Sequence, residues 1–172
     1  MNIISEDKMF NNRKNCCGCN SSRCGCPEGG KSILKCGSAN AGPLPIIGTQ
    51  GLIPSLPLSV GSVTIDTCDL CNPSVLVTAN LLINTPAALL SSLTFRIVRC
   101  VDGCSQPVGG SFTFADPIEA LSSNSFSFSL CDCSSCNGCV TYSVEVTSAT
   151  LLQAGTTIGG TISALAVENI CK

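Results

Sequence analysis

From Ile33 onward, Ser and Thr alternate with Val, Ile, Leu and Phe in short runs. The strictest is Ser125-Phe126-Ser127-Phe128-Ser129-Leu130, where one face is Phe, Phe and Leu and the other is all serine. A period of two is the side-chain period of an extended strand, so this run predicts a half-buried strand. Residues 140–147 predict another, with Tyr142, Val144 and Val146 inward, and residues 93–97 a third, with Arg96 outward. Residues 60–67, 74–84, 110–114 and 161–168 bring the set to seven. An eighth is expected near residues 46–53, at a sheet edge because its prolines remove ladder donors. Turn signals fall between the runs: Cys71-Asn72-Pro73, Asn84-Thr85-Pro86, Asp102-Gly103, Gly109-Gly110, Asn137-Gly138 and Gly159-Gly160. No stretch carries the apolar period of an amphipathic helix. The pattern predicts an all-β body, a two-sheet sandwich of jelly-roll type.

Residues 1–35 break this pattern. They hold Asn11-Asn12-Arg13-Lys14-Asn15, then Cys16-Cys17-Gly18-Cys19, then Cys24-Gly25-Cys26-Pro27, with few apolar side chains and no periodicity. Such a segment cannot offset its own ordering entropy, so it is expected to be a flexible N-terminal arm on a body of residues 36–172.

Charge sharpens that division. Residues 1–35 carry Lys8, Arg13, Lys14, Arg23, Lys31 and Lys35 against Glu6, Asp7 and Glu28, a net of +3, whereas residues 36–172 carry a net of −5. A basic arm on an acidic body can be attracted to the body of a neighbour; the alternative is a solvated tail with ordinary lysines. Only 12% of residues are charged and 44% are hydrophobic, a surface suited to burial against partners. There is no His, which removes the commonest general base and metal ligand and excludes Ser-His-Asp and Cys-His sites; no enzyme is expected. Nucleic-acid binding is not expected either, because the arm is weakly basic and has no aromatic platform. The start, Met1-Asn2-Ile3-Ile4-Ser5-Glu6-Asp7-Lys8, lacks the apolar run of a signal peptide, and no stretch has the roughly 20 apolar residues of a membrane helix.

The 15 cysteines then dominate the chemistry. At this density, without His, they signal a disulfide framework or thiolate-only metal sites. The odd number leaves at least one cysteine for metal, for another chain or unpaired. Cys68 and Cys71, Cys100 and Cys104, and Cys131, Cys133, Cys136 and Cys139 cluster at strand–turn boundaries, where bonds within the chain can fasten loops without disturbing a core. The metal alternative is zinc held by Cys68-x-x-Cys71 with Cys133-x-x-Cys136, although their separation is far longer than in usual zinc ribbons. Neighbouring Cys16 and Cys17 are poorly placed to pair with each other and well placed to reach two targets. From Cys16 to Cys36 the extended chain spans up to ~65 Å, longer than one small domain, so the arm can reach a neighbouring subunit or fold back on its own body.

Lys35-Cys36-Gly37-Ser38, the run Cys131-x-Cys133-x-x-Cys136-x-x-Cys139 and the following Thr141-Tyr142-Ser143-Val144 resemble a cysteine-rich family of clostridial spore formers over most of residues 33–172. Phe10 ahead of Cys16-Cys17, with Cys36 at the start of the body, resembles the connector of endospore appendage (Ena-type) fibre subunits; the additional Cys19, Cys24 and Cys26 depart from it. The resemblance implies a jelly roll whose arm enters a neighbouring subunit and forms disulfides there. On that resemblance Cys16 and Cys17, with Cys19 as a substitute donor, bond to Cys36 and Cys171 of other copies. The expectation is a structural subunit of a self-assembling, disulfide-cross-linked extracellular fibre or spore appendage, made without a signal peptide. Its partners are copies of itself, with no membrane, cofactor or metal. The alternatives are a zinc-binding thiolate protein, or a coat or exosporium protein that cross-links without forming fibres.

Overall fold

The computed structural model describes residues 30–44, 57–85, 91–116, 122–133, 138–149 and 155–169. They form eight strands: β1 (Ser32–Ala41), β2 (Leu58–Asp66), β3 (Pro73–Thr85), β4 (Ser91–Val101), β5 (Cys104–Asp116), β6 (Ser122–Asp132), β7 (Cys139–Ala149) and β8 (Thr157–Glu168). No helix occurs among the described residues.

Alternation dictates the layers. In β3, Val75, Val77, Ala79, Leu81 and Ile83 point one way and are buried, while Leu76, Thr78, Asn80 and Leu82 point outward. Tyr142, Val144 and Val146 of β7 and Leu93, Phe95 and Ile97 of β4 supply the opposing inner face. Phe95, Phe112, Phe114, Phe126 and Phe128 fill the space between β4, β5 and β6, with Phe112 stacked on Phe128 at a centroid distance of 4.4 Å. The strand of alternating Phe and Ser thus behaves as its period requires, with its serines exposed.

The strand order is β5-β4-β7-β2-β1-β8-β3-β6, antiparallel throughout. β1 and β2 share a single pair, Ala39 with Gly61, so the ladder folds there into two four-stranded sheets, β5-β4-β7-β2 and β1-β8-β3-β6. A Cβ on Gly61 would lie 2.4 Å from the Ser38 carbonyl oxygen, and one on Gly37 would lie 2.2 Å from that of Ser62; glycine makes this close crossing possible. β1 pairs with β8, β2 with β7, β3 with β6 and β4 with β5. That is one long hairpin, bent at Asp102-Gly103 and rolled into two sheets: a jelly roll. Asp102 and Gly103 both have positive φ, as the two-residue hairpin turn requires.

The expected strand near residues 46–53 lies outside the described residues; among those described, the strand that precedes β2 is Ser32–Ala41. Two other expectations change. β1 takes Ser32 to Lys35 out of the expected arm, because their backbone pairs with β8 from Ser32 opposite Val167 onward. Its inward positions include Gly37, Ala39 and Ala41, small because β2 crosses them, so no apolar alternation advertised the strand. Gly109-Gly110 and Gly159-Gly160 are not turns. The first pair lies inside β5, opposite the register shift between Arg96 and Ile97, and the second lies inside β8. At Gly160 a Cβ would meet the Asn80 carbonyl oxygen at 2.1 Å, so the glycine serves close strand contact.

Candidate functional site

The strand ends define two poles. At one, β1 begins, with Ser32 opposite Val167; β3 begins, with Pro73 opposite Glu168; and β6 ends, with Asp132 opposite Val75. In the other sheet β2 ends at the same pole, with Asp66 opposite Cys139, and β4 turns into β5 between Val101 and Cys104.

The cysteines gather at this pole. Cys68 and Cys71 lie in the β2–β3 connection, Cys100 and Cys104 flank the β4–β5 turn, Cys131 and Cys133 straddle the end of β6, and Cys139 opens β7. Cys71 and Cys100 are half-buried and the other five are exposed. Cys36 stands apart, exposed in β1 opposite Ser163. Cys16, Cys17, Cys19, Cys136 and Cys171 lie outside the described residues. The segments joining strands at the opposite pole, residues 42–57, 86–90, 117–121 and 150–156, contain no cysteine.

Two sets of hydrogen bonds fasten the cysteine-bearing loops. The Thr67 amide and hydroxyl both donate to the Gly138 carbonyl, at 3.0 and 3.1 Å, tying the β2–β3 loop to the residue before Cys139. Glu168 accepts from the Cys71 amide at 3.0 Å and the Lys31 amide at 3.2 Å, so one carboxylate anchors both a cysteine loop and the entry of the chain into β1. The backbone hydrogen bond from Lys31, then that from Cys71, holds the Glu168 carboxyl below its ordinary value, because both donors favour the charged form. The Cys68 amide does the same for Asp66, which accepts from it at 3.0 Å.

Beneath the pole lies a buried polar cluster that the sequence reading missed. Arg99 Nη1 donates to Asp132 Oδ2 at 2.9 Å and Oδ1 at 3.2 Å, and the Tyr142 hydroxyl donates to Oδ2 at 3.0 Å. The Asp132 side chain is 3% exposed and that of Arg99 10%. Asp132 belongs to one sheet and Arg99 and Tyr142 to the other, so the cluster clamps the two layers together. Phase could have found it: Arg99 is in step with Leu93, Phe95 and Ile97, and Asp132 with Phe126, Phe128 and Leu130. Five of the body's eight acids, Asp66, Asp69, Asp102, Asp132 and Glu168, lie at this pole.

The outer face of the β1-β8-β3-β6 sheet adds an apolar row. Leu34 is opposite Leu165, Leu165 opposite Leu76, and Leu76 opposite Cys131, so three leucines cross the sheet and end on a thiol. Leu34 is 61% exposed and Leu76 40%, with Val167 exposed beside them. The next rows, Cys36-Ser163-Thr78-Ser129 and Ser38-Thr161-Asn80-Ser127, are polar apart from Cys36. Cys131 and Cys133 have sulfurs 3.8 Å apart and line an open recess of about 360 Å³ with Val108, Gly109, Leu130 and Asp132. The hydrogen bond with Cys133 and partial burial push the Cys131 thiol above its ordinary value. Of the four thiols of the zinc alternative, Cys68, Cys71 and Cys133 share the pole, and Cys136 lies outside the described residues. Among the described residues no three Cys, Asp or Glu side chains are placed to share a metal ion.

A family model described as "Domain of unknown function (DUF4489)" matches residues 30–167. No curated protein matches the chain. Among solved structures, a chain from the crystal structure of the viral particle of infectious bursal disease virus (IBDV) is 11% identical, with a TM-score of 0.46 over 90% of this chain and 39% of that one. A chain of the Gt strain of infectious bursal disease virus is 14% identical, with a TM-score of 0.40 over 86% of this chain and 40% of that one. The chain thus spans about two fifths of the length of these viral chains.

Proposed function

The chain belongs to the DUF4489 family, and from that premise we propose that it is a structural subunit that polymerises with copies of itself into a disulfide-cross-linked extracellular fibre or spore appendage. The observation that carries this reading is the placement of the thiols. Every described cysteine except Cys36 sits at the pole where residues 1–29, with five further cysteines, join β1. Residues 1–29 carry Lys8, Arg13, Lys14 and Arg23 against Glu6, Asp7 and Glu28, a net of +1, and join the body beside five acids, so charge adds a weak attraction between arms and poles of different copies. From Gly30 back to Cys16 the chain extends up to ~47 Å, several times the ~14 Å width of a four-stranded sheet, so it is long enough for Cys16, Cys17 and Cys19 to reach a neighbouring copy. Cys36 and Cys171 of a neighbour are their proposed acceptors.

Electrophoresis with and without reductant tests this. The full chain is expected to give a ladder of covalent multimers that reductant collapses, and Cys16→Ser with Cys17→Ser to give assemblies that fall apart in hot detergent. An undiminished ladder from a chain lacking residues 1–29 would show that the arm is not the cross-linker. Electron microscopy separates a fibre from an amorphous coat. One or more zinc ions per chain by elemental analysis, lost together with folding on chelation, would transfer the assignment to the zinc-binding alternative.

A further inference from the structure

The sulfurs of Cys131 and Cys133 lie 3.8 Å apart. Residues two apart in a strand share a face, so both thiols start on the same side of β6. The strand ends at Asp132, and the bend at Cys133 brings its sulfur back toward Cys131. Both residues are exposed and face an open recess, so a closed bond between them is approachable by an incoming side chain. A disulfide that spans a single intervening residue and lies exposed belongs to the labile, exchange-prone class rather than the structural one. Asp132 between them is fixed by Arg99 and Tyr142, so the pair is held on a rigid base. The leucine row ends on Cys131 and offers apolar ground to a segment that carries Ile3, Ile4, Met9 and Phe10 ahead of its cysteines.

We propose that Cys131 and Cys133 form a disulfide-exchange site that captures a cysteine thiolate from the residue 1–29 segment of a second copy. The proposal rests on the polymer reading and places its first covalent link at an acceptor other than Cys36 and Cys171. The pair is first oxidised by a small-molecule disulfide such as oxidised glutathione. The Cys133 thiolate attacks it and expels one glutathione thiolate; the Cys131 thiolate then attacks the Cys133 sulfur and expels the second. The protein gives up two electrons and two protons, and the small disulfide takes up the electrons. In the second step the Cys16 or Cys17 thiolate of another copy attacks the Cys133 sulfur. The Cys131–Cys133 bond breaks, its electron pair leaves on Cys131, and that sulfur takes up a proton. One disulfide replaces another with no net redox change.

Full-length chains labelled with 14N and 15N, mixed while reduced and then exposed to oxidised glutathione, are expected to give mixed-isotope disulfide peptides joining Cys16 or Cys17 to Cys131 or Cys133. Peptides of one isotope only, such as a bond within the chain to the nearer Cys24 or Cys26, would overturn the assignment to a second copy. Full-length Cys131→Ser is expected to accumulate a stable glutathione adduct on Cys133, because the sulfur that resolves it is gone. Cys131→Ser and Cys133→Ser should each form covalent dimers roughly tenfold more slowly. Dimers forming at the wild-type rate, or the absence of the adduct, would remove the exchange site. If wild-type protein itself forms no reductant-sensitive multimers, the polymer reading fails; if it forms them and both variants keep pace, only the exchange site fails.

Discussion

The two poles of the sandwich are built from different materials. At one, Leu44 is buried against the β8 entry, its amide donates to the Thr156 carbonyl at 2.8 Å, and Asn84 reaches Thr157. Among the described residues of that end, backbone bonds, a neutral side-chain pair and apolar packing hold the strand ends together. At the other, loops carrying thiols are held by Glu168, Asp66 and Thr67 above a buried Arg99–Asp132–Tyr142 clamp. In the β2–β3 loop Leu70, 1% exposed between Cys68 and Cys71, is buried in the core while Cys68 stays exposed. Charge-assisted hydrogen bonds, about twice as strong as neutral ones, add to that anchoring at this pole.

Breaking the clamp is the strongest test of this contrast. Asp132→Ala leaves the Arg99 guanidinium buried without its carboxylate and is expected to cost about 3–5 kcal/mol in chemical denaturation. Thr157→Ala at the opposite pole, which removes one neutral hydrogen bond, should cost about 1 kcal/mol. Equal costs would mean that the poles do not differ in how they are held. Next in size is reduction of the oxidised protein. A closed disulfide at the cysteine pole contributes about 2–4 kcal/mol, so reductant should lower the denaturation midpoint by a corresponding amount. A curve unmoved by reductant would place no closed bond in the folded body. Tyr142→Phe removes only the phenol donor to Asp132 and is expected to cost about 1–2 kcal/mol, measured the same way.

The smallest effect concerns pH. The Glu168 carboxyl is held below its ordinary value, so its stabilisation is present at neutral pH and is lost as pH falls through the lowered value. Hydrogen exchange at the Lys31 and Cys71 amides, corrected for intrinsic rate, should show protection at neutral pH that is lost as pH falls through the lowered Glu168 value, below that of an ordinary glutamate. Glu168→Gln should flatten that dependence, while the Leu44 amide at the other pole should show none of it. Loss of protection at Leu44 over the same range would point to general acid unfolding.

Seven strands were legible because their inner faces are large and apolar, as Phe126 and Phe128 or Val144 and Val146 show. β1 was not, because its inward side is Gly37, Ala39 and Ala41, residues chosen by the strand that crosses them and not by burial of large side chains. The glycine pairs misled for the same reason: the close approach of Gly160 to β3 looks locally like a turn. At the candidate site, the sequence displayed the cysteine clusters at strand ends but not that the strand ends coincide.

The period-two alternation determined an all-β body by itself, because side-chain direction in an extended chain follows from the backbone. Cysteine number, the lack of His and the basic first 35 residues likewise bounded the chemistry without any coordinates. Which loops meet was decided only by the roll of the long hairpin. Folding β1 against β8 and β2 against β7 puts Cys68, Cys100, Cys131 and Cys139, up to 71 residues apart in sequence, at one pole. The same roll brings Asp132 of one sheet under Arg99 and Tyr142 of the other. Such contacts depend on strand order and register between distant segments, and no local pattern in the chain encodes them.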